Sequence, residues 1–155
     1  MTDVKPIPDT YPRVTPHLSI DDCAAALDFY QNVLGATVRL RMDAPGGLVA
    51  HAEIALGTSV IMIGDAAVPD SEPSPRKLGA TPVSLFVYVE DVDEVFRRAV
   101  DAGAEAVSEP EYHFYGDRVA TIDDPFGHRW NLATHVEDIA PDELDRRAGE
   151  AMSGA

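Results

Sequence analysis

Residues 15–22 read Thr-Pro-His-Leu-Ser-Ile-Asp-Asp, and residues 84–91 read Ser-Leu-Phe-Val-Tyr-Val-Glu-Asp. The second stretch begins 69 residues after the first. Each stretch leads into a segment whose apolar residues recur at helical spacing, and these segments end at Leu-Gly-Ala (34–36) and Ala-Gly-Ala (102–104). Self-similarity at a fixed period predicts two copies of one supersecondary unit.

The same order of elements is predicted around both stretches. In the first module, residues 13–65, an alternating strand precedes a helix that Asp21 and Asp22 are suited to cap and that Gly35 ends. The predicted strands of this module cover residues 14–20, 38–42, 48–56 and 59–63. In the second module, residues 83–136, they cover residues 83–89, 105–114, 118–123 and 128–134. We therefore expect an α+β fold of two tandem βαβββ modules, with mixed sheets and helices outside.

Three segments flank or join the modules, so that residues 13–136 form the expected domain. Residues 1–12 contain three prolines and are predicted to be an extended arm. Residues 66–82 contain four prolines and little apolar content, which is typical of a linker. Residues 137–155 form a tail, in which a short amphipathic helix is predicted from Pro141.

Composition restricts the classes of function. The net charge of −15 argues against nucleic acid and anionic membranes as partners. The charge is compatible with simple solubility or with attraction of a cationic small molecule, and both interpretations stay open. The lone Cys23 excludes an internal disulfide and a zinc site built from cysteines, and its place on an apolar stripe predicts a buried, inert thiol. Neither a signal peptide nor a membrane-spanning stretch is expected, and a soluble, cytoplasmic protein is predicted.

Two further motifs carry a resemblance to a known family. Residues 27–36 read Leu-Asp-Phe-Tyr-Gln-Asn-Val-Leu-Gly-Ala, and residues 124–130 read Asp-Pro-Phe-Gly-His-Arg-Trp. Together with the repeat, and with Phe-Tyr-Gly-Asp-Arg at 114–118, they resemble the vicinal oxygen chelate superfamily. That superfamily includes glyoxalase I, bleomycin-resistance proteins, fosfomycin-modifying enzymes and extradiol dioxygenases. The resemblance implies a cup formed by the two modules, a small-molecule ligand and a homodimer, with or without exchange of modules between chains.

The resemblance also locates the four positions at which metal-dependent members hold a divalent ion. These positions are Thr15, Met62, Ser84 and Asn131. Hydroxyl groups, a thioether and one amide are poor ligands for such an ion, and no carboxylate or imidazole is among them. We therefore expect neither the family metal nor another cofactor.

A second set of polar residues alternates toward the same side of the predicted strands. His17, His51 and Glu53 are the candidate catalytic residues, since Glu53 lies two positions from His51 and is suited to polarise its imidazole. They would form a displaced metal site or, alternatively, a hydrogen-bonded lining of a binding cavity. Tyr115 and Arg118 are interpreted either as a lid or as turn residues, with Arg118 paired to a carboxylate. His135 is expected at the surface. The residues expected to bind ligand are Thr15, His17, His51, Glu53, Met62, Ser84, Phe86, Tyr88, Tyr115, Arg118 and Asn131.

The sequence thus predicts a binding protein of this superfamily that lacks the metal and takes a small organic molecule in the cup. Sequestration of an antibiotic or another toxic compound is one role that the resemblance implies. The alternative is a lyase, isomerase or dioxygenase that uses the displaced His and Glu residues, with or without a metal. A third hypothesis is an interaction module whose cup is filled by its own side chains.

Overall fold

The computed structural model describes residues 4–154. They divide into two compact units, with the boundary between Ala80 and Thr81. The elements of the first unit are β1 (His17–Ile20), α1 (Cys23–Leu34), β2 (Thr37–Ala44), a 3-10 turn (Pro45–Gly47), β3 (Leu48–Leu56), β4 (Ser59–Asp65) and α2 (Pro75–Leu78). Those of the second are β5 (Ser84–Tyr88), α3 (Val92–Asp101), β6 (Glu105–Tyr112), β7 (Asp117–Asp123), β8 (Arg129–His135) and α4 (Pro141–Ser153).

Each unit contains one four-stranded mixed sheet. The strand order is β1-β4-β3-β2 in the first unit and β5-β8-β7-β6 in the second. The first strand of each unit pairs in parallel with the last, and the remaining pairs are antiparallel. The predicted α+β class and the two βαβββ modules are confirmed.

Helix α1 begins and ends where local chemistry requires. The carboxylate of Asp22 accepts a hydrogen bond from the backbone N–H of Ala25 at 3.1 Å and caps the helix. Gly35 ends it with a φ of 70°, a left-handed conformation that glycine adopts without steric cost. Both boundaries agree with the prediction from the sequence.

One face of the first sheet forms the core with α1. Leu27 and Tyr30 of the helix are buried, as are Ile54 of β3 and Ile63 of β4. Since successive side chains of a strand point to opposite faces, Glu53 and Met62 lie on the face away from α1. This alternation places the candidate residues of the first unit.

The buried carboxylate of Asp65, at the end of β4, fastens the start of α1 to the sheet. It accepts hydrogen bonds from the backbone N–H groups of Cys23, at 2.9 Å, and Val49, at 2.6 Å. Burial, with the nearby Asp65, raises the pKa of the Cys23 thiol to about 12. The thiol is therefore protonated at neutral pH and buried, as the sequence predicts.

In the second unit, Asp124 explains the Asp-Pro-Phe-Gly motif. Its carboxylate accepts hydrogen bonds from the backbone N–H groups of Phe126 and His128 and from the indole Nε1–H of Trp130, at 2.9–3.0 Å. One buried side chain thus closes the turn between β7 and β8 and orients the largest residue of this core. Trp130 itself is almost completely buried.

Two predicted segments differ from the structure. The first strand begins at His17 rather than at residue 14, and Val14 is 84% exposed. The segment 66–82, predicted as a linker, contains α2, whose first turn is capped by Ser74 through a hydrogen bond from the N–H of Lys77. The Oγ of Ser19 donates to the carbonyl of Glu72 and so holds the segment against β1. Residues 1–3 of the predicted arm and Ala155 of the tail lie outside the described residues.

The predicted helix at Pro141 is confirmed as α4. It is the longest helix within residues 4–154, and no helix there combines the length and the apolar character needed to cross a membrane.

Replacing Asp65 with alanine tests its anchoring role. The change leaves two buried N–H donors without an acceptor, so we expect the free energy of unfolding to fall by about 2–4 kcal/mol. Urea denaturation followed by circular dichroism measures this loss. The Glu72→Ala variant, altered at an exposed side chain, should unfold within about 0.5 kcal/mol of the wild type. Equal stability of the two variants would contradict the role of Asp65.

Candidate functional site

The face of the first sheet that points away from α1 combines imidazole, carboxylate and apolar side chains. His17 of β1 is the register partner of Met62, Met62 is the partner of Glu53, and Glu53 is the partner of Leu40. In the next row of the same face, His51 is the partner of Met42. We call this surface the polar face, and its members are His17, Leu40, Met42, His51, Glu53 and Met62.

Glu53 is the centre of the polar face. Its side chain is buried, with 3% of the residue exposed. The hydroxyl of Tyr11 donates to the carboxylate, with Oη 2.8 Å from Oε1 and 3.0 Å from Oε2. Nε2 of His51 lies 3.2 Å from Oε1, and the guanidinium of Arg39 lies 4.0 Å from Oε2. A buried carboxylate is stable only with partners of this kind, and here it has three.

Tyr11 and Arg39 belong to this network although sequence reasoning did not select them. The guanidinium of Arg39 lies 4.9 Å from the centre of the Tyr11 ring and donates to the carbonyl of Thr10 at 3.2 Å. Tyr11 lies in a segment without helix or strand. The register of β2 with β3 shifts between Val38 and Leu40, so the position of Arg39 does not follow from simple alternation.

The protonation of the polar face follows from these contacts. Burial by itself raises the pKa of Glu53, but the hydrogen bonds from Tyr11 and His51 and the nearby Arg39 charge outweigh it, and the pKa lies below its usual value. Partial desolvation, and then the neighbouring His51, lower the pKa of His17. The hydrogen bond to Glu53 raises the pKa of Tyr11. At neutral pH the polar face therefore carries the ionised carboxylate of Glu53 and a neutral His17, and the adjoining phenol of Tyr11 is protonated.

A comparable cluster lies in the second unit. The carboxylate of Asp117 is buried and accepts a hydrogen bond from the hydroxyl of Tyr88 at 2.8 Å. Nδ1 of His135 lies 2.7 Å from the same carboxylate, and Nε2 of His135 lies 2.9 Å from Asp138. His135 is half exposed, as expected, yet it bridges two carboxylates, which was not expected. Asp117 is the first residue of β7, and no sequence pattern indicated its contacts with Tyr88 and His135.

Comparison with known proteins now identifies the family. The family model of the glyoxalase/bleomycin resistance protein/dioxygenase superfamily matches residues 12–132. The chain belongs to this superfamily. An uncharacterised protein of Mycobacterium bovis is 38% identical over 137 residues, which cover 86% of this chain and 90% of that protein. An uncharacterised protein of Mycobacterium tuberculosis is also 38% identical over 137 residues, and the matched region covers 80% of that protein.

Solved structures agree with this assignment. The crystal structure of TioX from Micromonospora sp. ML1 is similar to this chain with a TM-score of 0.63 and 28% identity, over 81% of this chain and 99% of that chain. A glyoxalase family protein from Bacillus cereus is similar in fold, with a TM-score of 0.67 and 20% identity, over 88% of this chain and 99% of that chain. The resemblance stated from the sequence is confirmed at the level of the superfamily.

The residues at the positions that the resemblance assigns to the metal do not suit a hard divalent ion. In the first unit these positions hold a hydroxyl and a thioether, and the hydroxyl of Thr15 donates to the carbonyl of Pro12 at 3.4 Å. In the second unit they hold Ser84 and Asn131, and Oδ1 of Asn131 already accepts a hydrogen bond from Thr121 at 2.8 Å. Neither pair contributes a carboxylate or an imidazole, the groups that most often bind such an ion.

The alternative set of His17, His51 and Glu53 is brought together only in part. His51 contacts Glu53, and the rings of His17 and His51 are stacked with centroids 6.1 Å apart. Within residues 4–154, however, no group of three or more His, Cys, Asp or Glu side chains is placed to hold a metal ion. The arrangement resembles a hydrogen-bonded acid–base pair with a neighbouring imidazole.

The other predicted ligand contacts are divided between the faces of the second sheet. Phe86 is the register partner of Asn131, and its ring lies 5.4 Å from that of Tyr88, so these three residues share the face away from α3. Tyr115 is half-buried and stacks with His113 at 5.2 Å. Arg118 instead forms a two-pronged ion pair with Asp93 of α3, at 2.7 and 2.8 Å, which supports its interpretation as a structural residue. Ser84, the remaining candidate, is exposed at the start of β5. The expected small-molecule ligand, the homodimer and the absence of nucleic-acid and membrane partners stay predictions.

The pH dependence of stability tests the cluster around Asp117. Hydrogen bonds to Asp117 and Asp138 raise the pKa of His135. Because the folded pKa lies above the unfolded value of about 6.5, the stabilisation is complete at lower pH and is lost as the pH rises through the folded pKa. The difference in free energy of unfolding between the wild type and His135→Gln should therefore be largest in weak acid and decrease toward alkaline pH.

Urea titrations at a series of pH values measure this difference. The His113→Gln variant, which removes an imidazole from the adjoining hairpin, controls for the loss of a histidine as such. A difference for His135→Gln that does not change with pH would contradict the contacts described for this residue.

Proposed function

We propose that this superfamily member binds a small organic molecule at the polar face of the first sheet. The observation that carries the proposal is the preformed network of Tyr11, His51 and Glu53, in which a buried carboxylate is held by two hydrogen-bond partners. His51 and Glu53 both belong to β3, so this pair has little conformational freedom to lose when a ligand binds, and it holds its hydrogen-bonding groups in fixed directions.

Apolar side chains next to this network support the proposal. Leu40 and Met42, the register partners of Glu53 and His51, are 41% and 48% exposed. Small-molecule sites are typically lined by apolar side chains and contain a few well-placed polar groups. Methionine adapts its shape to different ligands, which suits a site for an organic molecule of irregular outline. The polar face combines both kinds of side chain.

Sequestration of a toxic compound or an antibiotic is the role that we propose for this binding. It needs affinity alone, and the poor fit of the four family positions to a divalent ion is compatible with it. The contact between His51 and Glu53 at 3.2 Å favours the alternative, a lyase, isomerase or dioxygenase, because an imidazole beside a carboxylate is suited to proton transfer. The two functions make different predictions about ligand turnover and about metal content.

A thermal-shift screen tests the proposed binding. We expect compounds from a library of natural products and antibiotics to raise the melting temperature of the wild type in a saturable manner. For a true ligand of the polar face, His51→Ala and Glu53→Gln should each weaken the affinity by about tenfold, since each removes one hydrogen-bonding partner. The His113→Ala variant, altered in the second unit, should bind with the affinity of the wild type.

Ligands whose affinity is equal in the wild type, His51→Ala and Glu53→Gln would exclude the polar face as the site. If no compound from a broad library stabilised the protein, that result would favour an interaction module instead.

Elemental analysis separates the binding protein from the metalloenzyme. For protein purified without added metal, we expect less than about one tenth of an equivalent of any divalent transition metal, because hydroxyl, thioether and amide groups bind such ions weakly. One equivalent of metal that is lost in His51→Ala would favour the alternative and would contradict metal-free binding. The His113→Ala variant again serves as the control.

A further inference from the structure

We propose that the place occupied by the Tyr11 side chain is a recognition site for a phenol, and that Tyr11 is its internal competitor. This inference rests on the proposed function, because it names the chemical class of a ligand for the polar face. It adds that the segment around Tyr11 must withdraw before such a ligand binds.

The contacts of Tyr11 define a complete site for a ring that carries a hydroxyl. The hydroxyl donates to both oxygens of Glu53, at 2.8 and 3.0 Å. The guanidinium of Arg39 covers the ring at 4.9 Å from its centre. Two independent elements would recognise such a ring. One is the carboxylate, which accepts a hydrogen bond from the phenol, and the other is the guanidinium, which lies over the aromatic face. Both residues belong to the sheet, and the contact of Arg39 with Glu53, at 4.0 Å, does not involve the segment that carries Tyr11.

The carboxylate keeps partners when the phenol leaves. His51 lies 3.2 Å and Arg39 lies 4.0 Å from Glu53, and both side chains come from strands. The charge therefore does not become isolated in a buried position, which would make release of Tyr11 very costly. The carboxylate of Glu53 can then accept a hydrogen bond from the hydroxyl of another phenol that takes the place of Tyr11.

The segment that carries Tyr11 is attached to the sheet by few contacts. Residues 4–16 form neither helix nor strand. At its end the segment is fixed to β4, because the backbone N–H of Met62 donates to the carbonyl of Pro16 at 2.8 Å. Around Tyr11, besides the contacts of Tyr11 itself, the side chain of Arg39 donates to the carbonyl of Thr10, while Thr15 bonds within the segment, to Pro12. Segments with few buried contacts open at low free-energy cost. Exchange of Tyr11 for an external phenol is thus physically accessible.

Tyr112 provides a matched comparison in the second unit. The guanidinium of Arg118 covers its ring at 4.6 Å from the centre, so the stacking is the same as at Tyr11. Its side chain is exposed, and none of the described residues gives its hydroxyl a carboxylate partner. The pair of tyrosines therefore separates the effect of the guanidinium from the effect of the buried carboxylate.

Chemical rescue with para-cresol, which has the structure of a tyrosine side chain, tests the inference. We expect millimolar para-cresol to raise the melting temperature of Tyr11→Ala in a saturable manner, and toluene, which lacks the hydroxyl, to bind at least tenfold more weakly. Adding Glu53→Gln to Tyr11→Ala should weaken para-cresol binding by about tenfold, since a charge-assisted hydrogen bond is lost. The Tyr112→Ala variant should show no saturable rescue.

A second measurement uses the wild type and does not depend on the folding of a variant. With tyrosine labelled by carbon-13, saturating para-cresol should move the ring resonance of Tyr11 toward that of exposed tyrosine and leave that of Tyr112 in place. Equal binding of para-cresol and toluene, or binding that leaves the Tyr11 resonance unchanged, would overturn the inference. A library compound that binds through His51 while Tyr11 stays in place would retain the proposed function and reject the phenol site.

Discussion

The parallel pairing of the first and last strands of each unit is the constraint on which the described sites depend. It sets His17 beside Met62 in the first sheet and Phe86 beside Asn131 in the second. Once this register is fixed, alternation assigns the side chains of the sheet either to the helix face or to the opposite face, except at the irregularities in β2 and β6. A shift of one residue would exchange the two sets and bury the imidazoles against the helix, so the aliphatic core selects the register.

Each of the two units stabilises a buried carboxylate on the face away from the helix, and the contacts that do so are similar. Glu53 and Asp117 are both buried carboxylates on strands, and each contacts one tyrosine and one histidine. The clusters differ in how the tyrosine is held. Tyr88 belongs to β5, whereas Tyr11 lies in a segment without regular structure. The tyrosine of the cluster thus comes from the sheet in one unit and from an irregular segment in the other.

Sequence reasoning was accurate where the determinants were local. The capping carboxylate of Asp22, the left-handed Gly35 and the bounds of strand 48–56 follow from neighbouring residues, and the structure has all three. The contact between His51 and Glu53 was foreseeable because side chains two apart on a strand share a face. Tyr11 was not foreseeable, since it reaches a partner 42 residues away from a segment without periodicity. The role of Arg39 depends on the register shift between Val38 and Leu40 in β2, which no residue pattern predicts.

The internal repeat also shows which face of the sheet is similar in the two units and which face differs. On the helix faces, Ala52 pairs with Ile63 and Ala120 pairs with Leu132, so the two cores use similar small and branched residues at equivalent places. On the opposite faces, the partner of Met62 is an acid, Glu53, whereas the partner of Asn131 is a hydroxyl residue, Thr121. Core packing tolerates little change in volume or polarity, which accounts for the similarity of the first set. The second set differs in charge between two copies of one backbone, and in the first unit the buried acid is stabilised by its contacts with Tyr11, His51 and Arg39.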